Sequence, residues 1–244
     1  MPKSTVVDYF AGNENLLDDS AKRSPNITQS RFRLLHTALT VTDPGRVLSI
    51  GMGSGIAEEK LRDEYGINIV KGVEPSEGFA ALARKRGFEV EVAGAQEVDY
   101  EPDAYDTIVY NGSSFGFLND DELKDTWRRN YEALSAHGKL VFTDVPKESA
   151  LGAVLYLTQR YPEIKDDDFQ DLLEGTTFYR TGRDEYKPYW HLTEWYVDLL
   201  RSLGFREFRF FQTVLANPPY QEQAVEDPIE GYKKGNYIAV VALK

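Results

Sequence analysis

Apolar positions along this chain fall into two spacings that take turns. Apolar-rich strand segments stand at 47–50, 69–73, 88–92, 105–111, 138–145, 205–215 and 237–243. The first, Val47–Ile50, reads as a continuous run, as expected of a central parallel strand covered on both faces. Between them apolar residues recur at helical spacing. The first such stretch runs from Ser30 to Leu39, with Leu34, Leu35, Ala38 and Leu39 on one face, and Asp43-Pro44-Gly45 ends it. A second follows Gly55 and stops at Gly66, and a third is capped by Ser76 and stops at Gly87. Asn119, with Glu122 three residues on, opens a fourth as a capping box, with Leu123, Trp127, Tyr131 and Leu134 inward. Thr193 caps a fifth, with Tyr196, Leu199, Leu200 and Leu203 toward the sheet and Gly204 at its end.

Regular alternation of strand and helix through residue 145 predicts a doubly wound, three-layer α/β/α fold. The last two strands have no helix between them, so they pair antiparallel. The expected sheet is therefore seven-stranded and mostly parallel, with an antiparallel last strand. A dinucleotide-binding fold would need one more crossover helix there. At 244 residues, one domain with an insertion fits better than two, since a domain usually spans about 100–200 residues. We divide 1–244 into an N-terminal arm and helix (1–45), a core (46–146), an insertion (147–192), and a last helix with a C-terminal hairpin (193–244). Ten aromatics fall in the 41 residues from Tyr156 to Tyr196, nearly twice the density of the chain as a whole. That insertion and the arm are expected to form a lid over a site.

Net charge changes the picture of partners. At −12 the surface repels phosphate backbones, so nucleic acid is a poor partner. The absence of cysteine removes disulfides, thiolate nucleophiles and cysteine-held zinc together. No run of about 18 apolar residues is present, so a soluble, cytoplasmic protein with no membrane partner is expected, as monomer or homodimer.

The chemistry concentrates where the first strand ends. Arg46-Val47-Leu48-Ser49-Ile50 runs into Gly51-Met52-Gly53-Ser54-Gly55, a helix follows, and the second strand ends at Glu74. Glycines let backbone approach a ligand closely, and a carboxylate at a neighbouring strand tip can accept both hydroxyls of a ribose. Dinucleotide-binding turns read G-x-G-x-x-G. Here the third glycine comes one residue early, and Glu74 lies 23 residues after Gly51. This G-x-G-x-G turn with its distant acid resembles the class I S-adenosylmethionine-dependent methyltransferases over residues 46–145, and more loosely in the C-terminal hairpin.

The resemblance implies S-adenosyl-L-methionine as cofactor, S-adenosyl-L-homocysteine as product, and methyl transfer to a small-molecule acceptor at oxygen or nitrogen. Carried over by position, Ser49, Gly51, Met52, Gly53 and Gly55 line the methionine portion, Glu74 holds the ribose, and Pro75 and Ser76 border the adenine. Two positions depart from the family pattern. Ser49 stands where most members carry an acid, and Gly94 in Ala93-Gly94-Ala95-Gln96-Glu97 stands where many carry an aspartate near the adenine amine. Ala95 and the Gln96 side chain are the groups left to meet the adenine edge. Asn111 and Gly112 would present carbonyls beside the sulfonium, and Phe115 would pack on the ligand. Tyr9, Tyr156, Tyr189 and Trp190 are candidate acceptor contacts, because ring faces suit planar or cationic compounds.

His191, among Tyr189, Trp190 and Trp195, is the candidate general base; the bland alternative is a lid anchor. His36 reads as structural and His137 as solvated, and three scattered histidines lack metal-site spacing. Asp166-Asp167-Asp168 reads as a solvated helix start. Asn217-Pro218-Pro219-Tyr220 matches the tetrapeptide of DNA adenine methyltransferases but follows the wrong strand, with 24 residues left after it. Tyr161 and Lys165 share only spacing with short-chain dehydrogenases. Two other functions compete. An aminopropyltransferase would want an acidic pair where Asn111-Gly112-Ser113 stands, and a non-catalytic cofactor-binding module would explain the missing acids.

Overall fold

The computed structural model describes residues 15–160, 189–215 and 224–244. Its elements are α1 (Leu16–Arg23), α2 (Pro25–Leu39), β1 (Val47–Ile50), α3 (Ile56–Tyr65), β2 (Ile69–Val73), α4 (Glu77–Lys85), β3 (Val90–Glu91), β4 (Tyr105–Tyr110), α5 (Asp120–Ala133), β5 (Leu134–Asp144), α6 (Ala150–Arg160), α7 (Thr193–Leu203), β6 (Glu207–Thr213), β7 (Ile229–Glu230) and β8 (Tyr237–Leu243). Single 3₁₀ turns lie at Ala95–Glu97 and Ser114–Phe117.

One mixed sheet has the order β3-β2-β1-β4-β5-β8-β6-β7. The first five strands in that order run parallel, and β8 lies antiparallel to both β5 and β6. The expected arrangement holds, with eight strands instead of seven. The extra one, β7, is two residues pairing Phe211 with Glu230, too short to leave an apolar run in the sequence.

Each face is covered by a core of its own. On one side Tyr110, Phe115, Trp127, Phe142 and Tyr196 pack as a block of rings, with Phe115 and Phe142 at 5.0 Å between centroids. On the other, Leu34, Leu35, Ala38 and Leu39 of α2 lie against Val47, Val109, Val141 and Val241. Burying a large side chain of this kind stabilises by roughly 1.5–3 kcal/mol.

Several boundaries move, each for a local reason. α2 begins at Pro25, five residues before Ser30, because proline fits the first helical turn where no N–H partner is needed. Residues 16–23, expected to be irregular, form α1. β3 shrinks to Val90–Glu91, since the Phe88 N–H is taken by the Ala83 carbonyl at the end of α4. β5 starts at Leu134, directly after α5, so Leu134 is a strand residue. Thr193 is the first residue of α7 rather than its cap. A carboxylate from elsewhere, Glu148, accepts the Thr193 N–H at 3.2 Å. The Asn119 capping box forms as predicted: its side chain accepts from Asp121 and Glu122, and Glu122 accepts the Asn119 N–H at 2.9 Å. Among the described residues no helix is long and apolar enough to cross a membrane.

Candidate functional site

Strand register sets the site. Ile50 pairs with Val73 on one side and Tyr110 on the other, and Tyr110 pairs with Phe142. The next residues, Gly51, Glu74, Asn111 and Thr143, therefore line one edge of the sheet at its carboxyl ends. This is the crevice of an open α/β sheet, with the order reversing between β1 and β4.

Glu74 is 5% exposed and held by two backbone donors. The Gly53 N–H donates to its Oε2 at 2.8 Å, and the Ser76 N–H to its Oε1 at 2.9 Å. Burial pushes its carboxyl up to about 6, against those two hydrogen bonds. Gly51 and Met52 both donate to the Val73 carbonyl, which folds the turn back onto β2. Gly51 has φ +68°, and a Cβ there would collide with the Ser114 side chain. Gly53 is covered by Leu17 of α1. Asp18, beside it, accepts from the Ser54 hydroxyl at 2.6 Å and pairs with Arg86. α1 thus lies on the glycine turn. Met52 contributes backbone only. Its sulfur sits on Gly72, with Ala80 and Ala83 of α4 in the same apolar cluster.

A buried acid stands beside Ser49, one for which the sequence offered no expectation. Ser49, at the predicted position, donates its hydroxyl to Glu58 Oε1 at 2.7 Å. Glu58 stands one turn into α3 and is 1% exposed, and its Oε2 has no hydrogen-bond partner among the described residues. Burial pushes this carboxyl up to about 7, and the Ser49 bond offsets only part of that. Its place in the first turn of the helix after the glycines was the available signal. The adenine-side departure is also filled, because the Gln96 amide folds back over Gly94 where a side chain would otherwise stand. The Ala95 carbonyl accepts from Tyr100 at 2.7 Å and the Gln96 carbonyl from Arg129 at 2.8 Å, so both are fixed. Pro75 is half-buried beside Glu74.

The β4 and β5 tips are stitched together. The Thr143 hydroxyl donates to Asn111 Oδ1 at 2.8 Å and accepts the Gly112 N–H at 2.7 Å. The Ser113 N–H donates to the Thr143 carbonyl at 2.9 Å, and the Ser113 hydroxyl donates to Asp144 in a short bond. Phe115, expected against the ligand, is instead 1% exposed within the ring block under the sheet edge.

The aromatic candidates gather less closely than expected. Trp190 is half-buried, with its indole N–H on the Val145 carbonyl at 3.0 Å. Lys147 links it to Tyr156, donating to the Trp190 carbonyl at 3.3 Å while its ammonium lies 4.8 Å from the Tyr156 ring centroid. Tyr189 is exposed, tied through its N–H to the Gly116 carbonyl at 3.0 Å. His191 Nε2 lies 2.8 Å from Asp120, its ring stacked on Trp195 at 3.7 Å between centroids. His36 stacks on Tyr65 at 4.0 Å, and His137 is exposed. Tyr9, Tyr161, Lys165, Asp166, Asp167, Asp168 and the 217–220 tetrapeptide lie outside the described residues.

The glycine cradle, its paired carboxylate and the buried Glu58 suit a nucleoside with a cationic amino-acid tail. A family model described as a methyltransferase domain matches residues 47–138, the stretch that builds this edge. Residues 47–138 accordingly carry a methyltransferase domain, within a chain of the class I, Rossmann-like fold. The methyltransferase is 25% identical, over 98% of its length and 99% of the other chain, to a Thermotoga maritima structure described as a SAM-dependent methyltransferase, possible histamine N-methyltransferase, with a TM-score of 0.74. An uncharacterised protein of Methanocaldococcus jannaschii is 25% identical over 203 residues, 82% of each chain. The plantazolicin methyltransferase BpumL, solved with S-adenosylhomocysteine, shares the fold at 12% identity, covering 99% of this chain and 95% of that one, with a TM-score of 0.59. S-adenosylmethionine is accordingly the cofactor of the methyltransferase domain.

Proposed function

We propose that the protein transfers a methyl group from S-adenosylmethionine to a small-molecule acceptor at nitrogen or oxygen, in a single domain whose arm and 147–192 insertion cover the site. The observation that carries this is Glu74 at the tip of β2, buried beside the glycine turn and fixed by the Gly53 and Ser76 N–H groups. In this reading Glu74 accepts the ribose hydroxyls. Gly51, Gly53 and Gly55 give the backbone close approach, Ala95, Gln96 and Pro75 border the base, and Asn111 and Gly112 lie toward the reacting centre.

Glu58, with Ser49 behind it, supplies the counter-charge to the cofactor's ammonium that position 49 lacks. Arg31, its guanidinium 4.7 Å over the Tyr237 ring and adjacent to Gly112, is placed to meet the carboxylate. When bound, the cofactor supplies a methyl already activated on a sulfonium. The remaining tasks fall to the chain, namely alignment of the acceptor, exclusion of water, and removal of a proton where the acceptor arrives protonated. In this reading His191 serves the last task where the acceptor arrives as a hydroxyl. Asp120 holds Nε2, which leaves Nδ1 as the acceptor nitrogen. Tyr156, Tyr189 and Trp190 wall the acceptor side.

The non-catalytic alternative rests on two missing acids; the buried Glu58 beside Ser49 and the Gln96 amide over Gly94 speak against it. Calorimetric titration with S-adenosylmethionine and S-adenosylhomocysteine tests the reading directly. We expect both to bind; a protein that ignores both sinks it.

A further inference from the structure

The tip of β5 carries a buried acid that the cofactor reading leaves unused. Asp144 is 3% exposed, and its position follows from register. Phe142 pairs with Tyr110 across β4–β5, so Asp144 projects beyond the strand pair at the carboxyl edge. β5 lies two strands from β1, about 10 Å from the glycine turn at the usual strand spacing of about 4.8 Å. That is the far side of the crevice from Glu74, two strands away from the edge assigned to the nucleoside.

What surrounds Asp144 is short of positive charge. The Ser113 hydroxyl and the Val145 N–H are neutral donors. The neighbouring charge acting on it is Glu148, another carboxylate, which faces it from the loop after β5 while its own oxygens engage the Thr193 N–H. Tyr196 of α7 adds a phenol, donated to by the His191 N–H. Trp190 approaches from the 189–192 segment. Lys147 is the cation of that loop, and its ammonium is turned to Tyr156 and the Trp190 carbonyl. No salt bridge to Asp144 forms among the described residues. A carboxylate kept out of water without a counter-ion is costly unless a ligand supplies one.

A second observation is independent of charge. Ser113, the residue that grips Asp144, sits at φ +63°, a conformation unfavourable to a residue with a side chain. The strain is held by tertiary contacts on both sides, at the Thr143 carbonyl and at Asp144 itself.

We propose that Asp144 receives the acceptor as an ammonium ion and takes its proton, so that the acceptor is an amine carried on an apolar, planar framework seated against Trp190. The proposal rests on the methyltransferase reading above and narrows its acceptor to nitrogen. In the step assigned to Asp144, an N–H bond of the ammonium breaks and an O–H bond forms on the carboxylate. The nitrogen keeps the electron pair and becomes the neutral nucleophile. The proton then leaves to solvent, one for each methyl transferred. Burial, aided by Glu148, pushes the Asp144 carboxyl up to about 7. At that value it exchanges protons near neutral pH, as an efficient base requires.

The test uses full-length protein saturated with S-adenosylhomocysteine. Two ammonium ions, 2-phenylethylamine and tryptamine, are titrated beside their alcohols, 2-phenylethanol and tryptophol. We expect each amine to bind at least tenfold tighter than its alcohol at pH 7.5, with the preference shrinking toward pH 6 as Asp144 protonates. Asp144→Asn, which keeps size and a hydrogen bond to Ser113, should bring amine and alcohol within twofold while leaving S-adenosylhomocysteine affinity unchanged. Ser113→Ala, which removes the bond but keeps the charge, should retain the preference. Alcohols binding as well as amines, neither class binding, or Asp144→Asn keeping the preference would overturn the proposal with the cofactor reading intact. Failure of S-adenosylhomocysteine to bind takes down both.

Discussion

At the scale of single residues, the site is a set of carboxylates placed where burial works against their charge. On the proposed reading Glu74→Ala removes charge-assisted hydrogen bonds to the ribose, and S-adenosylhomocysteine affinity should fall by about 1–3 kcal/mol in calorimetric titration. Glu58→Gln tests the relocated acid in a different way. A carboxyl titrating near 7 is part-protonated at neutral pH and must ionise to meet an ammonium. Binding at pH 7 should therefore release protons from wild type, and this release should drop by about half a proton or more in Glu58→Gln. Titrations in buffers of differing ionisation heat read that number directly; equal release in the two proteins removes Glu58 from the cofactor site. Glu74 was legible in the sequence because a strand tip after a glycine turn has few other uses. Glu58 was not. Its neighbours in sequence, Ala57 and Glu59, give no sign of which carboxylate turns inward, and only the packing of α3 over Ser49 selects it.

At the scale of elements, local signals served best where a cap or a turn is chemically explicit. Ser76, Asn119, Gly66, Gly87 and Gly204 all end or begin helices where expected, since each satisfies or frees a specific backbone group. Asn119→Ala should lower stability by about 1 kcal/mol, or about 2–4 °C in thermal midpoint for a chain of this size. Because α5 carries Trp127 into the ring block, a shift in cofactor affinity should not accompany it. Thr193 misled because α7 borrows a carboxylate from Glu148, 45 residues away, in place of its own cap. Phe115 misled for a related reason. It follows the tip of β4, but the 3₁₀ turn at Ser114–Phe117 rotates the ring down onto Trp127 and Phe142.

At the scale of the whole molecule, the buried carboxylates make stability depend on pH in an unusual sense. Glu58 and Asp144 are pushed up to about 7 and Glu74 to about 6 by burial. In the unfolded chain they titrate near their ordinary values of about 4, so the folded state holds protons the unfolded state has lost. Their contribution is complete below about pH 4 and fades as pH rises through 6 to 7. The cost once ionised runs from about 2 kcal/mol for Glu74 to about 4 kcal/mol for Asp144. Asp106, held below the usual carboxylate range by Arg46, acts in the opposite sense and loses its contribution only in acid. Unliganded protein should therefore melt at lower temperature at pH 8 than at pH 5.5, and Glu58→Gln or Asp144→Asn should flatten the slope. A midpoint that rises steadily with pH would contradict these burials.

The sequence by itself determined the layered α/β architecture, the reversed β8, the glycine turn and the acid at the tip of β2. Periodicity, capping and turn chemistry act over a few residues and leave a local trace. Tertiary structure alone decided that Glu58 faces Ser49, that Gln96 covers Gly94, that α1 lies on the turn, and that Asp144 meets Ser113 across two strand tips. Those pairings depend on strand register and helix docking. Register converts distant positions into neighbours, and no short-range pattern encodes which ones.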